Sequence, residues 1–115
     1  MSRDYRLYLD DILKSADRIR SYTKNHNSAK ELLDDPVAFD AVAFNLEIIG
    51  EAVKNLPESI RSTYPDAEWK NIAGMRDKII HHYHGINADI VWDVVKNKLP
   101  QFKKLIKKIL SDSDI

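Results

Sequence analysis

The sequence predicts an all-α protein, a bundle of about five helices, and three observations carry that expectation. Three glycines and four prolines are all that interrupt the 115 residues. Apolar residues recur at intervals of three and four, the period of a helix with one buried face. No segment alternates polar and β-branched residues as a half-buried strand does. A chain of this length fits one domain, expected over residues 1–115, and suffices to bury a continuous core.

The first helix is expected over residues 4–24, where Tyr5, Tyr8, Ile12, Ala16, Ile19 and Tyr22 form a stripe opposite arginines and aspartates. Ser28, with Glu31 three residues later, has the form of a capping box. Asp35-Pro36 marks another start, an N-cap aspartate followed by proline at the first helical position, and the helix should run to about Lys54. It carries two stripes, Phe39, Val42, Leu46, Ile49 and Val53 on one line and Ala41, Phe44, Ile48 and Ala52 on another. A helix this apolar is expected to be covered from two sides, by its own domain and by a partner subunit.

Pro57 and Pro65 bracket a segment of one or two helical turns, and the next helix is expected from about Ala67 to Tyr83. Gly85 suits its C-cap, and Asn87 suits the N-cap of a helix presenting Ile90, Val91, Val94 and Val95. Pro100 has no N–H to donate, so it should kink or restart that helix. Beyond it Phe102, Leu105, Ile106 and Ile109 form the buried side, while Lys103, Lys104, Lys107 and Lys108 gather outside. Trp69 and Trp92 are expected in the core, and Ser111 to Ile115 as a frayed tail.

Composition removes whole classes of chemistry. Lys+Arg and Asp+Glu both total 18, so no net field draws the chain onto nucleic acid, and any such site must be local. The absence of cysteine excludes disulfides, thiol catalysis and thiolate metal sites, and suits a reducing compartment. No apolar run resembles a signal peptide or spans a bilayer, so the expected location is the cytoplasm, with no membrane partner.

The segment Arg76-Asp77-Lys78-Ile79-Ile80-His81-His82-Tyr83 concentrates a guanidinium, an imidazole and a phenol. Breaking a phosphodiester with the neighbouring ribose 2′-hydroxyl requires a group that moves a proton near neutral pH, which suits His81. Charge accumulates on the phosphoryl oxygens in the transition state, and the planar fork of Arg76 would stabilise it better than a lysine. No metal is required for either step, and no cofactor is expected. At roughly 100° per residue, Arg76 and Tyr83 share a line of a helix while His81 sits about 140° from Arg76. One ideal helix cannot aim all three at one phosphate, so either the helix distorts before Gly85 or a second subunit completes the site across a two-fold axis.

Other readings of these residues are structural. Arg76 falls inside the arc of Ile72, Met75, Ile79, Ile80 and Tyr83, where a charge needs a partner such as Glu47 or Glu51, or a task. His81 and His84 are spaced to share a metal, but no glutamate lies between them as in H-E-x-x-H and no third ligand is identified, so no metal is expected. Residues 96–108 contain six lysines and no acidic residue. They read as the solvated face of an amphipathic helix or as a supplementary strip that tracks phosphates.

The pattern R-x-x-x-x-H-x-Y, filled by Arg76, His81 and Tyr83 with Asp77 after the arginine, resembles the signature of HEPN domains, in particular the HepT-like toxin family. Asn45-Leu46-Glu47-Ile48-Ile49-Gly50-Glu51-Ala52, Trp69-Lys70-Asn71-Ile72 and Ile90-Val91-Trp92-Asp93 agree with it, so the resemblance covers nearly the whole chain. It implies a HEPN-type helical bundle, homodimeric, that cleaves RNA without a metal. It further implies a toxin-antitoxin pair with a minimal nucleotidyltransferase antitoxin, which transfers AMP to the motif tyrosine, Tyr83. In these terms Arg76 and His81 are catalytic, Asp77 orients the site and Tyr83 contacts phosphate. The alternatives are a non-catalytic HEPN subunit that binds a nucleotide or docks the nucleotidyltransferase, and a purely structural helical dimer.

Overall fold

Side-chain caps set where the helices begin. In the computed structural model the described residues are 3–81 and 87–113, with the side chains of Arg76 and of 78–81 not among them. Helix α1 spans Tyr5–Thr23 behind Asp4, whose carboxylate accepts from the Arg6 N–H. Ser28 caps α2, Ala29–Leu33, by accepting from the Glu31 N–H. Asp35 caps α3, Pro36–Lys54, by accepting from the Ala38 N–H, with Pro36 occupying the position that has no N–H to satisfy. Short α4, Glu58–Thr63, precedes α5, Trp69–His81. Asn87 caps α6, Ala88–Asp93, and α7 covers Leu99–Ser113.

Between α6 and α7 lies a π-helical turn, Val94–Lys98, so residues 88–113 form one continuous rod. Pro100 explains it. A proline lacks the donor that an α-helical turn would use and its ring crowds the preceding carbonyl. Widening the turn lets Leu99 donate back to the Val94 carbonyl, five residues away, and carries the helix past the proline without a break. The expected restart is therefore a local widening.

Helix α3 is the centre of the bundle. Its two broad partners are α1 and α5, while α7 packs on α1 and α2 lies against α3 and α6. Leu9, Ile12 and Ile19 of α1, Val42 and Val53 of α3, and Ile106 and Ile109 of α7 are fully buried. Each such side chain contributes about 1.5–3 kcal/mol relative to exposure. This is the expected all-α bundle. No helix among the described residues is long and apolar enough to cross a membrane.

Four expectations need correction in detail. Tyr22 does not continue the α1 stripe: it is exposed, and Thr23 is buried instead, its hydroxyl donating to the Ile19 carbonyl. Residues 111–113 are helical rather than frayed, because two tyrosines tie them down. The Tyr5 hydroxyl donates to Ser113 Oγ at 2.8 Å and the Tyr64 hydroxyl donates to Asp112 at 2.6 Å. Trp92 is only half-buried, with Lys96 Nζ 4.6 Å from its ring centroid, a cation–π contact on the surface. Helix α5 begins at Trp69, two residues later than expected, because the preceding loop folds back to let the Trp69 indole donate to the Tyr64 carbonyl. Tyr83, His82, His84 and the expected cap Gly85 lie outside the described residues.

The α3 cap carries a pH dependence. The Ala38 N–H and then His26, whose Nε2 is 3.0 Å from Oδ2, hold the Asp35 carboxyl below its ordinary value. A lowered carboxylate pKa stabilises the fold above the unfolded value, about 3.9, and that stability is lost as pH falls through the folded value. Asp35→Asn keeps a capping oxygen but cannot titrate. Thermal melts should therefore show a shallower loss of stability below about pH 4 in this variant than in the wild type.

Candidate functional site

Helix α5 is held at its first turn and along one face. Trp69 is 7% exposed, its ring meets Phe102 edge-on at 5.5 Å, and its indole hydrogen bond fixes it to the loop before it. One and two turns further on, Ile72 and Met75 are partly buried against the core. The helical backbone continues without a break through positions 76 and 81.

Between positions 76 and 81 the helix shows no distortion, and residues 82–86, where the expected distortion before Gly85 would also fall, lie outside the described residues. Five residues along an unbroken helix rotate by about 140°, so positions 76 and 81 belong to different faces of α5. Position 76 follows Trp69 by seven residues and Ile72 by four, on the packed line. Position 81 follows Asp77 by four and Gly74 by seven, on a line where the Asp77 side chain is exposed and a Cβ built on Gly74 would meet nothing within 4 Å. The side chains of Arg76 and His81, and all of Tyr83, lie outside what is described, as does any pairing of Arg76 with Glu47 or Glu51.

Asp77 is placed. Its carboxylate lies 3.8 Å from Lys54 Nζ in the last turn of α3, with both side chains about half exposed. A pair this open contributes at most about 1 kcal/mol. Its structural effect is to set a cation and a carboxylate where the end of α3 meets the motif helix. Sequence reading did not single out Lys54, because the partner arrives from a helix more than twenty residues away and no periodicity announces it.

On its other side α5 borders a groove of about 800 Å³. Leu46 and Ile49 of α3 form its floor, Ile72 and Met75 one wall, and Val94 and Leu105 of the C-terminal rod the other. Asn71 and Gln101 also line it, as do Lys98 and Glu68, whose Nζ and Oε2 are 3.8 Å apart. Val94 and Lys98, the first and last residues of the π turn, both line this groove. The signal in sequence for that turn was Pro100.

The family model described as Ribonuclease HepT-like matches residues 12–109. A Methanocaldococcus jannaschii protein named "Putative RNase MJ0127" is 47% identical over 110 residues, covering 96% of this chain and 90% of that one. One from Caldanaerobacter subterraneus subsp. tengcongensis, "Putative RNase TTE0752", is 43% identical over 105 residues, with 91% and 93% covered. "Probable ribonuclease HepT" of Thermococcus cleftensis is 37% identical over 109 residues, with 95% and 98% covered. No solved structure gives a significant match.

Proposed function

Because the chain belongs to the Ribonuclease HepT-like family, we propose that it is a metal-independent endoribonuclease in which Arg76 and His81 act on one RNA phosphate. The guanidinium of Arg76 would neutralise charge developing on the phosphoryl oxygens, and His81 would move the proton at the attacking or leaving oxygen. The observation that carries the reading is the family match across the whole motif helix, together with the presence of both residue types at the motif spacing. Asp77 would orient the site from its position beside Lys54, and Tyr83 would contact phosphate and accept AMP from a minimal nucleotidyltransferase antitoxin. The chain would then be the toxin of a toxin-antitoxin pair, acting in the cytoplasm.

A homodimer is part of this proposal. Two observations support it: the 140° separation of positions 76 and 81 on an unbroken helix, and the exposed apolar line of α3, where Phe44 is 62% and Val37 80% exposed. In a two-fold dimer each site would take Arg76 from one subunit and His81 from the other. Mixing two inactive variants tests this. A purified heterodimer of Arg76→Ala with His81→Ala retains one site with both groups intact and should recover about half the wild-type activity, whereas each homodimer is inactive. No recovery would contradict a shared site. Phe44→Glu should convert the dimer to a monomer in light scattering with helical content unchanged, because the fold does not bury that ring.

A further inference from the structure

We propose that the outer face of α7, at Lys104, Lys107 and Lys108, is a binding strip for the backbone of single-stranded RNA outside the cleavage site. This rests on the ribonuclease reading for the identity of its ligand. Residues 96–108 hold six of the chain's 18 basic side chains and none of its 18 acidic ones, which leaves 12 basic against 18 acidic elsewhere. A chain with no net charge therefore presents one locally cationic rod.

Half of the six lysines have tasks in the fold. Lys96 stacks on Trp92, Lys98 faces Glu68, and Lys103 pairs with Asp17 of α1. The other three are exposed, and no ion pair or hydrogen bond among the described residues includes them. Their orientation is fixed from behind. Leu99, Phe102, Ile106 and Ile109 are buried, which pins the opposite side of α7 to solvent.

The spacing of these charges works against the helix. Lys104 and Lys108 are four residues apart, as are Lys103 and Lys107, and like charges at that spacing disfavour a helix. An acidic side chain at any of these positions would relieve the repulsion. A row of cations that opposes its own helix is accounted for by a polyanion lying along it. The six lysines extend about 18 Å along the helix axis. On another side the same rod lines the groove beside α5, through Val94 and Leu105.

Fluorescence anisotropy with an oligouridine of about 20 nucleotides, longer than the ~4–16-nucleotide footprints common among single-strand binders, tests this directly. The triple variant Lys104→Gln, Lys107→Gln, Lys108→Gln should bind more weakly. Its slope of log affinity against log salt should be shallower by about 2, at roughly 0.7 for each phosphate no longer neutralised. A matched variant removing Lys14, Arg18 and Arg20 from α1 should change the slope little. Where the wild type cleaves RNA, the α7 variant should raise KM for long RNA and cut the dinucleotide UpA at the wild-type rate.

An unchanged slope, an equal loss in the α1 variant, or no salt-dependent binding by the wild type would overturn the strip. Failure of the wild type to cleave any RNA would count against the nuclease reading instead. The binding comparison would still decide the strip.

Discussion

Alanine at Arg76 or at His81 is expected to lower the rate of RNA cleavage by roughly 10²–10⁴-fold, the usual cost of losing one charge-stabilising or proton-transfer group. Both variants should keep the fold. Helix α5 is secured by Trp69, Ile72 and Met75, all upstream of the substituted positions. The two losses should differ in pH dependence. His81→Ala removes the proposed proton-transfer imidazole, so its residual activity should lose the corresponding limb of the pH–rate profile, whereas Arg76→Ala should keep that limb at a lower rate. Single-turnover cleavage measured from about pH 5 to 9, alongside circular dichroism, checks both points.

Adenylylation of Tyr83 is expected to abolish cleavage without unfolding the protein. Tyr83 follows His81 by two positions and Arg76 by seven. An AMP group on the phenol would bring a phosphate to the guanidinium and occupy the place of the substrate phosphate. Tyr83→Phe should resist modification and keep the fold. Mass spectrometry after incubation with ATP and the nucleotidyltransferase, followed by a cleavage assay, reads both outcomes. Fully modified Tyr83 with intact nuclease activity would defeat this mode of control, as would an adenylyl group on another residue.

Local chemistry was the legible part of this chain. Ser28, Asp35 and Asn87 each cap the helix that their residue types announce, because an N-cap is a contact within three residues and needs no knowledge of the fold. The α3 stripe of Phe39, Val42, Leu46, Ile49 and Val53 is buried as its period requires. Contacts between distant segments were not legible. Tyr5 and Tyr64 anchor the end of α7 from more than forty residues away, so a tail that looks polar and terminal is held as helix. Lys54 meets Asp77, and Lys98 meets Glu68, only because α3, α5 and the C-terminal rod converge. Tyr22 and Trp92 fit a helical period yet lie near the margin of the packed face, where the neighbouring helix decides burial. At the candidate site the residue types and their spacing were readable, and the structure adds the unbroken helix that puts positions 76 and 81 on separate faces.

The central claim is that this chain cuts RNA with side chains and no metal, and the most direct measurement is cleavage of single-stranded RNA by the purified protein in excess EDTA. The account predicts undiminished cleavage, with 2′,3′-cyclic phosphate ends formed by attack of the neighbouring hydroxyl, and loss of those products in Arg76→Ala and His81→Ala. Cleavage that requires an added divalent ion, or products made at wild-type rates by both folded variants, would contradict it.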